Sequence, residues 1–369
     1  MPPPVLNDDV VVQGTANEPP SVASAPDAAT IGPPGPLGYR FPAEWEPHRA
    51  TWISWPHNRD TWPGNFEPVE PVMVEAVRSL ALSEPVYINV LSPEHERHVR
   101  GLLGGIDGEI RTFVHPTNDA WCRDHGATFL VNPGALHPLA AVDWEYNAWG
   151  GKYPPYDLDQ RIAGLMAAAV GAPRHRPGFH LEGGAIETNG TGVLLTTASC
   201  VLNPNRNPGW DVATAERRLK ENLGVDTVIW VEGNILGDDT DGHIDNLARF
   251  VTPTDVLMVV SDAENHPALR PAFERLTSDA APLGIRVHPL PLPEPVYFEE
   301  HRLPASYANF YIGNRVILLP VYGCAADVVA AQTIGAFFPD RTVVPIDCTE
   351  LAWGLGAFHC LTQQVPAVG

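Results

Sequence analysis

From residue 39 onward, short apolar runs alternate with stretches whose apolar positions recur at helical spacing. Val69, Met73, Ala76, Val77 and Leu80 fall on one face of a helix. Val86 to Leu91 predicts a strand, Pro93 to Leu103 a helix opened by proline, and Glu109 to Val114 a second strand. The same rhythm returns three times. Val193 to Thr197, Ala213 to Leu223 and Thr227 to Val231 predict strand, helix, strand; so do Val256 to Val260, Ala268 to Leu276 and Ile285 to Leu290, and then Val316 to Val321, Ala325 to Phe337 and Thr342 to Ile346. Apolar strands alternating with amphipathic helices specify an α/β protein. No compositional break splits residues 39–369, which predicts a single domain. Residues 1–38, rich in Pro, Ala, Gly, Ser and Asp and lacking apolar periodicity, predict a disordered leader.

Composition narrows the function. A chain of 369 residues with 44% hydrophobic and 18% charged residues describes a globular protein. Its formal charge of −21 argues against nucleic acid as a partner and suits neutral or cationic ligands. No apolar run is long enough to span a bilayer, and Met1 to Val10 lacks the pattern of a secretory signal, so a cytoplasmic protein without membrane contact is expected. Five scattered cysteines without CxxC spacing read as reduced thiols rather than as a disulfide framework or structural zinc site.

Five polar clusters ask for a reason. Asn118 to Gly126 sets Trp121 and Arg123 between Asp119 and Asp124; this is either a pocket wall, with Asp124 for a cation and Trp121 to cover it, or a turn shaped by a buried Arg123–Asp124 pair. Glu182 precedes paired glycines and would either orient a histidine or sit on a tight turn. In Gly237 to Asn246, an extended backbone would put Asp241, His243 and Asp245 on one face, where a histidine among carboxylates can titrate near neutrality. That set also invites a metal reading, though no HxH or HExxH pattern supplies further ligands. Asp238 and Asp239 read as turn residues. Arg206, within Asn203 to Pro208, is given no chemistry. Cys360 follows a glycine-bearing segment and His359, a setting that fits a nucleophile. Cys200, Cys324 and Cys348 read as inert.

These segments together resemble the agmatine deiminase and bacterial-type peptidylarginine deiminase family of guanidine-modifying enzymes. The resemblance runs from Phe41 to Pro366. It is carried by Pro42 to His48, Asn118 to Asp124, Leu181 to Gly184, Asp239 to Asn246, Arg302 to Tyr311 and His359 to Gln364. It implies a pentein β/α propeller, five ββαβ-like units about a pseudo-fivefold axis. It implies Cys360 as nucleophile, His243 as general acid/base, Asp124 and Asp245 as clamps on a guanidinium, and Glu182 as a brace for His243, with Trp121 and Asn309 as further substrate contacts. A small cationic guanidine would be deiminated through a covalent thiouronium, agmatine giving N-carbamoylputrescine and ammonia, with no metal and no organic cofactor. Free or peptide-borne arginine, an amidinotransferase, a metal-dependent hydrolase built on Asp241, His243 and Asp245, and a non-catalytic guanidine-binding protein are the alternatives. The family usually shows Gly-Gly-Asn-Ile-His-Cys where this chain has Leu355-Gly356-Ala357-Phe358-His359-Cys360, which leaves the far end of the substrate open. Subunit number is not fixed by the sequence; a homo-oligomer is compatible with it.

Overall fold

The computed structural model describes residues 29–261 and 266–368. Among them are five sheets built alike, plus a two-stranded hairpin, Tyr297–Phe298 with His301–Arg302. In each sheet a first strand runs antiparallel to a second, and the second runs parallel to a third. Thr128–Val131, Leu139–Val142 and Arg174–His175 form one such set. Ile186–Thr188, Val193–Thr197 and Thr227–Val231 form another, and Ala248–Thr252, Asp255–Val259 and Arg286–Leu290 a third. Tyr311–Ile312, Val316–Val321 and Thr342–Asp347 form the fourth. The parallel pairs need a long crossover. The helices Ile162–Val170, Val212–Leu223, Leu269–Ala280 and Ala326–Gly335 supply it.

The remaining sheet joins the two ends of the chain. His48–Ser54 pairs in parallel with Val86–Val90, which pairs with Ile110–Val114, and Val69–Ala81 is the crossover helix. Its antiparallel first strand is Thr362–Pro366, with Trp52 opposite Gln363. That pairing carries the segment around Cys360 back beside the start of the fold.

A single helical turn precedes the first strand of every sheet. The turns are Cys122–His125, Gly183–Ala185, Ile244–Asn246, Tyr307–Asn309 and Phe358–Leu361. Each packs on the next in this order, and the last packs on the first. The whole is one mixed α/β domain whose turns form a closed ring.

The strands and helices expected from periodicity are present, with ends shifted by a few residues. The disordered leader is not as expected throughout. Its residues 1–28 lie outside the described residues, but 29–38 are packed on the body. Ile31 donates to the Arg174 carbonyl, Arg174 donates to the Ala29 carbonyl, and Gly35–Leu37 forms a 3₁₀ turn. A Cβ on Gly35 would stand 2.8 Å from the carbonyl oxygens of Lys220 and Glu221, so glycine permits the contact. Proline-rich sequence hides this order because its hydrogen bonds go to a neighbouring strand rather than along a period.

Candidate active site

Each of the five turns is three or four residues long and leads straight into, or close to, the first strand of its sheet. They carry Asp124, Glu182 with Gly184, His243 with Asp245, Asn309, and His359 with Cys360. The ring therefore brings together every residue expected to act, from positions spread over the chain.

Gly184 marks where they meet. A Cβ there would stand 2.6 Å from His243 Nδ1, 2.8 Å from Asp124 Oδ1 and 3.0 Å from Asp245 Oδ2. Its own amide donates to Asp124 Oδ1 at 3.0 Å. Asp124 Oδ2 accepts from the Trp149 indole at 2.9 Å. Trp149 reaches it through backbone in the left-handed region, φ 56°, between Ala148 and two glycines with positive φ. Burial raises the Asp124 carboxyl to about 6, against the pull of His243.

His243 is wholly buried, and neither ring nitrogen has a hydrogen bond. Nδ1 stands 3.7 Å from Asp124 Oδ1, and Nε2 stands 3.7 Å from Glu182 Oε2. Burial disfavours its charged form, but Asp124, Cys200 and Glu182 outweigh that and hold its pKa well above the usual imidazole range. Glu182 is held down in turn. Burial would raise it, but His243 and Arg206 lower it below the ordinary carboxyl value, Arg206 Nε donating to Oε1 at 2.6 Å.

Cys360 lies at the edge of a cavity of about 1220 Å³ that Asp124 and Trp121 also line. Asn309 Nδ2 donates to Sγ at 3.0 Å, and Asp245 Oδ2 stands 3.6 Å from Sγ. Asn309 also accepts at Oδ1 from the amides of His359 and Cys360, capping a turn whose preceding residue, Ala357, offers no side-chain cap. Asn309 does not line the cavity; its contact is with the thiol. Burial, then the charges of Asp245 and Asp124, push the Cys360 thiol well above its usual range. Asp245 Oδ2 accepts from His359 Nδ1 at 2.7 Å, while Oδ1 is buried without a partner.

The cavity wall carries five aspartates, Asp60, Asp119, Asp124, Asp159 and Asp239, against Arg59, Lys152 and Arg302. Burial raises Asp119 to about 6 and Asp159 to about 8. The Trp121 indole packs against Gly356, which has no side chain to obstruct it: a Cβ there would stand 2.4 Å from the ring. Leu355, also on the wall, takes a left-handed φ of 70°.

Several expectations are corrected by this geometry. The stretch around His243 is not extended. Asp241 has φ 69°, Gly242 has φ 97°, and a 3₁₀ turn follows, so Asp241 points away from His243 and Asp245. Its carboxylate is taken by Arg206 at 2.7 Å and Lys152 at 2.9 Å, which removes it from any shared metal set with them. The buried partner of Arg123 is Glu44, at 3.0 Å, not Asp124. Asp238 does serve a turn, accepting from the Thr240 amide at 2.9 Å.

Other residues went unassigned in the sequence. Glu44 Oε2 stands 2.9 Å from His359 Nε2 and Oε1 accepts from Arg249 at 2.8 Å, so Glu44 supports the histidine that grips Asp245. Arg206 holds Glu182. Cys200 abuts the same carboxylate at 3.8 Å. The one signal for Glu44 and Arg206 was a lone charge set among turn and aromatic residues.

The chain is similar to known proteins over most of its length. A sequence profile of the Porphyromonas-type peptidyl-arginine deiminase family matches residues 40–366. The agmatine deiminase of Ectopseudomonas mendocina is 36% identical over 358 residues, which span 89% of this chain and 96% of that protein. The agmatine deiminase structure from Enterococcus faecalis superposes with a TM-score of 0.86 at 30% identity, covering 93% of this chain and 100% of the other. A C. jejuni agmatine deiminase with substrate bound gives 0.81 at 29% identity, covering 89% and 96%.

Proposed function

The chain belongs to the Porphyromonas-type peptidyl-arginine deiminase family, and from that premise we propose that it hydrolyses agmatine to N-carbamoylputrescine and ammonia. The observation that carries this reading is the meeting of Asp124, His243 and Asp245 around Gly184, beside the Cys360 thiol, on an acid-lined cavity. A guanidinium is planar and offers paired N–H donors, which suits two carboxylates. Asp124 lines the cavity, and Asp245 Oδ1 is buried with its acceptor capacity unused. The acidic wall favours a substrate with a second positive charge, which agmatine has and which free arginine offsets with a carboxylate.

In the empty site burial and the charges of Asp245 and Asp124 favour the Cys360 thiol, and Asp124, Cys200 and Glu182 favour the charged form of His243 against burial. A cation seated between the carboxylates lowers the thiol's pKa, so substrate helps to make its own nucleophile. Sulfur attacks the guanidinium carbon, a C–S bond forms, and a C–N bond breaks. The thiol loses its proton to solvent as the substrate binds, and the charged His243 ring gives its own proton to the departing ammonia, which leaves the ring neutral. The resulting thiouronium is attacked by water, which gives up a proton to His243; the C–S bond breaks and the ureido product leaves. Glu182 and Arg206 keep the imidazole facing this centre. No cofactor enters any step. On the same reading the five sheets are blades about a pseudo-fivefold axis, and the protein works in the cytoplasm on a small free guanidine. Among the described residues no helix is long and apolar enough to cross a membrane.

The size of the cavity favours a second reading, in which arginine or a peptide ending in arginine is the substrate. Ammonia release with agmatine, arginine and such a peptide separates the two. A kcat/KM for agmatine about tenfold or more above the others is expected, since a misplaced charge in a desolvated site costs at least that much. Preference for arginine or the peptide would overturn the agmatine assignment.

Gly184→Ala tests the geometry. The added methyl would displace three site groups at once, and an error of about 1 Å costs about 10²-fold in rate. We expect a fall in kcat/KM of about that size. Wild-type kinetics in a folded G184A protein would count against the convergence being the reaction centre.

A further inference from the structure

Cys200 has no part in the reaction proposed above, yet its thiol is fully buried against two of that reaction's residues. Its Sγ stands 3.8 Å from Glu182 Oε2, and that oxygen stands 3.7 Å from His243 Nε2. One ligand atom from each of Glu182, Cys200 and His243 lies within 4.8 Å of the other two. A tetrahedral zinc with ordinary bond lengths has ligand-to-ligand edges of about 3.4–3.6 Å, so shifts of about 1 Å or less would close the set around an ion. A thiolate, an imidazole and a carboxylate are the donor types that zinc accepts, with water in the fourth position.

A second observation points the same way. His243 is completely buried, and neither ring nitrogen has a hydrogen bond. Nε2 faces the Glu182 oxygen that Cys200 also faces. Arg206 holds the other oxygen of Glu182 at 2.6 Å, which aims Oε2 at the pair, as an outer hydrogen bond aims a ligating carboxylate.

We propose that Glu182, Cys200 and His243 form a site for a divalent ion of the zinc class, and that its occupation silences the enzyme by capturing the His243 ring nitrogen. Binding displaces the thiol proton of Cys200 and a proton of the imidazolium to solvent. The silencing rests on the reading of His243 as acid/base; the metal site does not. The site differs from the set Asp241, His243 and Asp245, because Asp241 is occupied by Arg206 and Lys152.

The test uses Co²⁺ as a probe on the full chain carrying Cys360→Ala, so that the nucleophile cannot ligate. About one equivalent should bind with a sulfur-to-cobalt charge-transfer band, and EDTA should remove it. The band should vanish when Cys200→Ala is added. In the otherwise native chain, Zn²⁺ should inhibit ammonia release, and Cys200→Ala should raise the half-inhibiting concentration by at least about 10-fold, the lower end of what even an outer contact is worth. If Cys200→Ala does not fold, Cys200→Ser replaces it, because serine keeps the size and is a far poorer ligand. A missing band, a band that survives loss of Cys200, or unchanged zinc inhibition overturns the proposal. Should no guanidine release ammonia, the function is wrong, but the cobalt band still decides the metal site.

Discussion

Cys360→Ala is expected to reduce ammonia release from agmatine by at least about 10⁴-fold, the order seen when a covalent nucleophile is removed. The protein should stay folded. Alanine fills most of the thiol's volume, and the Asn309 hydrogen bond at 3.0 Å and the thiol's bond to Asp245 Oδ2 at 3.6 Å are lost, each worth about 1 kcal/mol. Rate and stability should therefore part company. Under turnover the parent should show a covalent amidino adduct by intact-protein mass spectrometry, and the variant none. The Asp124 and Asp245 carboxylates remain, so agmatine should still bind the variant, as calorimetry would report. A variant within tenfold of the parent would remove Cys360 from the chemistry, whatever its position.

The sequence disclosed the elements that repeat an apolar period and concealed those that do not. Val193 to Val231 and Val316 to Ile346 are long enough for their pattern to stand out. The sheet of Thr128–Val131, Leu139–Val142 and Arg174–His175 went unassigned, because its strands are four residues or fewer and its helix is a run of alanines with little polar contrast. Thr362–Pro366 was hidden for a different reason. Thr362, Gln363 and Gln364 are buried polar residues, placed by contacts such as Arg123 Nη1 to Gln364 Oε1 at 2.8 Å, and hydrophobic periodicity cannot detect that.

The site was legible as a list of residues and illegible as an assembly. Asp124, Glu182, His243, Asn309 and Cys360 recur at near-equal intervals, but a period of that length becomes meaningful only once each is seen on the turn before a strand. The error over Asp241 has the same origin. An extended backbone would put Asp241 on the face of His243 and Asp245, and two consecutive positive φ values turn it away. Glu44 and Arg249 were missed because a buried ion pair leaves no trace in sequence until both partners are placed.

Arg249→Met is expected to cost about 3–5 kcal/mol of folding stability, the range for breaking a buried pair while one side stays charged. Arg249 is wholly buried. It donates to Glu44 at 2.8 Å, to Glu187 at 3.0 Å, and to the carbonyls of Ala308 and Phe310 at 3.1 and 2.6 Å, with its guanidinium over the Phe310 ring. Methionine matches its length and none of its donors. The pH dependence follows from the two carboxyls. Burial would raise Glu44, but Arg249, His359 and Arg123 hold it well below the usual range. Its contribution is therefore present above the ordinary carboxyl pKa and lost as pH falls through its folded value. Glu187 is raised, because burial exceeds the help from Arg249; its charged form is a cost at neutrality that protonation relieves. Removing the arginine shifts both carboxyls upward. The deficit of the variant should then be largest near neutral pH and narrow as pH falls into and below the ordinary carboxyl range, measured by urea unfolding. Activity should fall too, since Glu44 Oε2 holds His359 and His359 holds Asp245. Arg249→Lys keeps the charge without the fork and should lie between the two. A deficit under about 1 kcal/mol, or one that does not change with pH, would mean that this cation does not hold the ring of turns together.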